Sequence, residues 1–191
     1  MTPPDTALAS RVQLPEELRF LLAAYPRRIW GDHPNFGPTT RFYLDRHAMF
    51  REAMAVMRRL TGEALDAARP GAGFGRDFAR VGSFFLRELS THHSVEDHHY
   101  FPALVRLEPR LIRGFDILEA DHHAIHHTLD RFAAEANAAL EGLQTADPKR
   151  ALAALDAGLK GMERLLDRHL EDEEELVIPV MLDRGEAALG L

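Results

Sequence analysis

From Leu152 onward, residues of one kind recur at alternating steps of three and four: Leu152, Leu155, Leu159, Met162, Leu166. The series then runs through His169 and Glu173 before returning to Leu176 and Val180. Such spacing marks the core-facing stripe of an α-helix, so a histidine and a glutamate stand where a folded chain buries hydrocarbon. Three more segments repeat the arrangement. One runs Phe78, Val81, Phe85, Leu89, His92, Glu96; another Leu111, Phe115, Leu118, His122, His126, Leu129; a third Tyr43, His47, Phe50, Met54, Met57. The chain must build helices whose shared interior contains ionisable groups.

The breaks between these segments set the organisation. The first 38 residues hold more than half of the prolines and one short helical stretch near Pro15–Tyr25, and read as an N-terminal arm. A long helix is expected from Thr39 or Thr40, either of which can cap it, to about Arg69, where the Pro70–Gly75 stretch breaks it. A second runs from about Arg76 to Leu107, with Pro102 near its end. Pro109 suits the first turn of a third, reaching Gly142, and the Asp147–Pro148 pair opens a fourth that ends near Gly185. Nothing reads as a strand. Four long helices with short connections predict an all-α, antiparallel up-down four-helix bundle over residues 39–185, with the arm at 1–38 and a tail at 186–191.

Composition narrows the function classes. The formal charge of −7 argues against a nucleic-acid binder, and no apolar run approaches the roughly 18 residues that span a bilayer. The first residues lack the regions of a signal peptide, and without cysteine the chain has no disulfide, thiolate metal site or iron–sulfur cluster. A cytoplasmic protein is expected. Histidine is the outlier: there are eleven, and eight lie in two short clusters at 92–99 and 122–127.

The chemistry sits in a repeat. His92-His-Ser-Val-Glu96-Asp97 followed by Phe101-Pro102 aligns without a gap on His169-Leu-Glu-Asp-Glu173-Glu174 followed by Ile178-Pro179. The other two helices match more loosely around His47 and His122. Residues four apart on a helix lie one above the other, so each His/Glu pair can share an ion. Two carboxylates buried together are costly without compensation, and a metal pair supplies it. The stripes offer His47, His92, His122, His126 and His169 with Glu96 and Glu173 as metal ligands, a donor set that suits iron, manganese or zinc. Phase favours Glu173, about 40° round from His169, over Glu174 at about 140°. His123 and His127 have the spacing of His122 and His126 but leave the stripe. A ferritin-like site would need two Glu-x-x-His motifs; Glu119 with His122 is one, and the other hairpin has no counterpart.

The set comprising His47, His92 with Glu96, His122 with His126, and His169 with Glu173 resembles the hemerythrin-like (HHE cation-binding) domain family over about residues 40–183. The resemblance implies two iron ions, bridged by Glu96 and Glu173 with an oxo or hydroxo group. His122, His126 and His169 would hold one iron, and His47 with His92 the other. In the family, the iron with fewer histidines is where dioxygen binds, which points to the His47/His92 side.

Other residues get plainer readings. His93, His98, His123 and His127 are expected on the surface or at the ends of the bundle, and His99 solvated near the pocket mouth. The Glu171–Glu175 run is expected to be a charged exposed face, Glu173 excepted. Met49, Met54 and Met57 are core packing, while Trp30, His33 and Phe36 cover one end. Two functions remain open, and no catalytic residue is assigned for either. The preferred one is reversible binding of dioxygen or nitric oxide for storage, transport or sensing. The other is redox chemistry on dioxygen or peroxide, or oxidation and sequestration of iron.

Overall fold

The computed structural model describes residues 6–67, 71, 73–143 and 148–190, so Pro70 and the expected cap Asp147 lie outside the described residues. Among the described residues six α-helical segments occur: α1 (Phe20–Ala24), α2 (Pro38–Asp66), α3 (Phe74–Val95), α4 (Phe101–Leu107), α5 (Ile112–Gly142) and α6 (Pro148–Arg184). Short 3-10 turns cover Glu16–Leu18, Arg27–Asp32, Pro109–Leu111 and Glu186–Leu189, and no strand occurs among the described residues.

The expected second helix is interrupted. Between α3 and α4, Glu96–Tyr100 form a wider π-helical turn. Pro102 follows immediately; it has no N–H to give to the helix, and its ring crowds the carbonyl four residues earlier. The wider turn inserts a residue into the three-and-four series. Phe101 and Leu104 are therefore buried, while His98 and His99 face solvent.

The start of α2 also differs from expectation. The helix begins at Pro38, and neither threonine caps it. Instead the carboxylate of Glu186 accepts the backbone N–H groups of Thr39 and Thr40. Proline fits a first helical turn because that N–H has no intrahelical partner, and a remote acid takes over the capping.

The chain divides into two compact units, and α2, α3, α5 and α6 supply residues to both. One comprises Met49–Thr91 and Ile125–Leu166. Its buried side chains follow the apolar stripes, including Phe50 against Phe85 edge-on at 6.2 Å. Arg58 on α2 bonds Asp156 on α6 at 2.6 Å.

The other comprises Met1–Ala48, His92–Ala124 and Asp167–Leu191. Its core joins Leu14, Leu18, Leu21 and Trp30 of the arm with Phe101, Phe115, Leu118, Val177, Met181 and Leu182. Every residue of α6 from Asp172 to Leu182 is buried. The acidic run expected to face solvent is thus covered from Asp172 to Glu175. The reason is the arm, whose apolar side chains and arginines pack over what would be the outer face of α6. Arg19 pairs with Glu175 and Arg27 with Glu174, while Arg11 pairs with Asp172.

Candidate metal centre

Four helices bring their ionisable stripe residues together inside this second unit. His47 comes from α2, His92 and His93 from the end of α3, and Glu96 from the start of the π turn. His122 comes from α5, and His169 with Glu173 from α6. All seven are buried.

Their donor atoms fall into two groups. His93, His122 and His169 form one; His47, His92, Glu96 and Glu173 form the other. Within each group the donor atoms lie within 4.8 Å of one another. Each glutamate also faces an imidazole of the other group. Glu96 has Oε1 3.1 Å from His92 Nε2 and Oε2 3.7 Å from His122 Nε2. Glu173 has Oε2 3.3 Å from His47 Nε2 and 3.6 Å from His169 Nε2.

Both oxygens of Glu96 and Glu173, with Nε2 of His122 and His169, are buried and have no hydrogen-bond partner among the described residues. Burying such groups without partners is strongly unfavourable. Burial and the neighbouring Glu173 charge hold the Glu96 carboxyl well above the usual carboxylate range. His92 is pushed well below the usual histidine range by burial, then by the neighbouring imidazoles of His47, His169 and His122. The site disfavours charge on both its acid and its base, as expected where a multivalent cation is to replace protons. A set of imidazoles and carboxylates without thiolate suits iron, manganese or zinc.

Comparison with protein families identifies the Hemerythrin HHE cation binding domain over residues 39–186. The chain belongs to that family. No curated protein and no solved structure matches the chain. The HHE assignment covers α2 to α6 and leaves the arm outside it.

Around the inward-facing nitrogens of this HHE domain lies a layer of acids on the opposite ring edges. Glu174 Oε1 is 3.0 Å from His47 Nδ1, and Asp97 Oδ1 is 2.7 Å from His122 Nδ1. Asp121 Oδ2 is 3.5 Å from His169 Nδ1. Acids so placed keep the proton on Nδ1 and leave Nε2 free to ligate.

Of the seven residues expected from the sequence, six stand in the two groups: His47, His92, Glu96, His122, His169 and Glu173. His126 stands in neither; it is half-buried and belongs to the other compact unit. The core stripe of α5 takes Ile125 instead, completing Leu118, His122, Ile125, Leu129 in steps of four, three and four. His93 joins His122 and His169. It was expected on the surface, yet it is fully buried and stacks on His122 with ring centroids 4.0 Å apart. Adjacent residues point about 100° apart on a helix, which lets His92 meet His47 on α2 while His93 meets His122 on α5. The His-His doublet in the sequence is the signal for this. Asp97 and Glu174 occupy the repeated acidic position after Glu96 and Glu173, which was their signal, whereas Asp121 has only its place beside His122.

Tyr43 closes the side nearest His47, with ring centroids 4.8 Å apart. Its hydroxyl is buried without a hydrogen bond of good geometry. Burial, then the Glu173 and Glu96 charges, raise it well above the usual tyrosine range, so it remains a neutral O–H.

Proposed function

We propose that this is a non-haem di-iron protein that binds dioxygen, or nitric oxide, reversibly for storage, transport or sensing. The observation that carries the reading is that Glu96 and Glu173 each lie between an imidazole of one donor group and an imidazole of the other. That is the placement a bridging carboxylate needs. His93, His122 and His169 would hold one ion and His47 with His92 the other, both sharing Glu96 and Glu173. A bound iron pair supplies reversible electron transfer to a small ligand.

The chain's own residues do the rest. The His47/His92 group has one imidazole fewer, which leaves room for an exogenous ligand there, beside Tyr43. The Tyr43 hydroxyl can donate a hydrogen bond into that space and cannot supply negative charge to it. Asp97, Asp121 and Glu174 fix the imidazole tautomers. Phe101, 5.4 Å from the His122 ring, and Phe115, 5.2 Å from Phe101, help exclude water.

We read the supporting scaffold as an antiparallel up-down four-helix bundle. Contacts run in opposite senses along three of the helix pairs: Tyr43 with Tyr100 and His47 with His92; Phe101 with Phe115 and Asp97 with His122; and Thr40 with Met181 and His47 with Glu174.

A buried neutral tyrosine beside the site is also what a redox enzyme would use as proton donor, so turnover of dioxygen or peroxide is the second reading. Spectra of the reduced, iron-loaded protein before and after dioxygen separate the two. A stable form that reverts on removing oxygen is expected; rapid oxidation with peroxide turnover would favour the enzyme.

A further inference from the structure

We propose that the N-terminal arm is part of the metal centre. Arg11 and Arg27 act as positioning residues that hold the outer acids Asp121 and Glu174, and through them the imidazoles of His169 and His47. This inference rests on the two donor groups being a metal site. It goes beyond the family assignment, which begins at residue 39.

Arg11 is the stronger of the two. Its side chain is 1% exposed, against 4% for Asp121 and 0% for Asp172. Nε donates to Asp172 Oδ2 at 2.8 Å, Nη1 to Asp121 Oδ1 at 3.2 Å and to the Thr6 carbonyl, and Nη2 to Asp121 Oδ2. That last oxygen is the one facing His169 Nδ1. One buried carboxylate is therefore divided between a guanidinium and an imidazole.

Arginine suits this position because its planar fork engages both oxygens of Asp121 while a third N–H reaches Asp172. A tie that only fastened the arm would not need burial, and the arm has others nearer solvent. Tyr25 donates to Asp183, Asn35 to the Leu182 carbonyl, and Arg168 on α6 to the Val12 carbonyl. Arg27 repeats the relay on the other side. Nη1 donates to Glu174 Oε2 at 2.6 Å while Glu174 Oε1 faces His47 Nδ1. Its side chain is 39% exposed, so its hold is screened and weaker.

The consequence is electronic as well as geometric. A carboxylate neutralised by a guanidinium pulls less on the Nδ1 proton of its imidazole, so that ring is a weaker donor to its ion. Without Arg11, Asp121 acts on His169 with its full charge, which favours the more oxidised ion. It also loses its fixed orientation, which loosens the ligand. Partners in this outer layer are generally worth about ten- to a hundred-fold in metal affinity.

The test uses the full chain loaded with ferrous iron alone. Wild type, Arg11→Gln, Arg11→Lys, Asp121→Asn and the Arg11→Gln/Asp121→Asn double variant are compared for iron release to a chelator and for reduction potential. Tyr25→Phe serves as a control that loosens the arm at Asp183 without touching Asp121 or Asp172. We expect about ten-fold faster release and a lower potential in Arg11→Gln, with Arg11→Lys between it and wild type. The Arg11→Gln effect should largely vanish in the Asp121→Asn background, and Tyr25→Phe should leave the potential unchanged. If Arg11→Gln fails to fold, Arg11→Lys carries the same comparison. Unchanged release and potential, or an equal effect with and without Asp121, would make Arg11 a structural tie and overturn the inference. Wild type that takes up no iron would instead overturn the reading of the site itself, and this inference with it.

Discussion

Glu174 grips His47 from outside the donor group, with Oε1 3.0 Å from Nδ1, while Nε2 of the same ring faces Glu173 Oε2 at 3.3 Å. Neighbouring acids on α6 thus meet opposite edges of one imidazole. Glu173→Gln should abolish binding of the metal pair. Glu174→Gln should keep the metal stoichiometry and weaken affinity by about ten-fold. Metal content and chelator competition on both variants check this, and equal loss in the two would contradict the assignment.

Removing one of the two central acids should have the reverse effect on the metal-free protein. Glu96 and Glu173 are buried acids whose oxygens have no hydrogen-bond partners among the described residues, and burial with the Glu173 charge disfavours charge on Glu96. Glu96→Gln should therefore stabilise the metal-free chain, on the order of 1 kcal/mol, while destroying metal-dependent stabilisation. Urea unfolding with and without metal reads both signs; a variant less stable in both states would count against the account.

His93 and His126 offer a direct contrast. His93→Ala should cost about half of the bound metal, because it removes one of three imidazoles on one side. His126→Ala should leave metal content within error of wild type. A metal deficit in His126→Ala with none in His93→Ala would assign the ligand to His126 instead.

Two carboxyls give the metal-free protein opposite pH dependences. Hydrogen bonds from Arg110, at 2.7 Å to each oxygen, with a further one from Arg184, hold Glu108 at about 2. Its folded value is depressed, so its contribution is present above pH 4.5 and is lost as pH falls from 4.5 through about 2. Glu96 is raised, chiefly by burial and then by Glu173. Its contribution is present below pH 4.5 and is lost as pH rises through its folded value. Glu108→Gln should flatten the acid side of the stability profile and Glu96→Gln the side above 4.5. Unfolding midpoints across pH measure both, and a Glu96→Gln profile parallel to wild type above pH 4.5 would be the contrary result.

The helices and most of the buried ionisable groups were legible because burial repeats at helical spacing, and spacing is a property of sequence. That reasoning placed His47, His92, Glu96, His122, His169 and Glu173 on core stripes. The burial of His93 was missed, and His126 stands in neither donor group, because a stripe has width. Where a helix touches two neighbours, adjacent residues can both be inside, and on α5 the regular step falls on Ile125 rather than His126. The π turn at Glu96–Tyr100 was hidden because local propensity does not encode it. The burial of Asp172, Glu174 and Glu175 was hidden for a different reason: their arginine partners lie some 150 residues away in the arm.

The most direct test of the central claim is the metal stoichiometry of the full chain after anaerobic loading with ferrous iron. Two iron ions per chain are expected, falling to none in the Glu96→Gln/Glu173→Gln double variant while helical content is retained. A folded wild-type chain that binds no iron, or a double variant that still binds two, would contradict it.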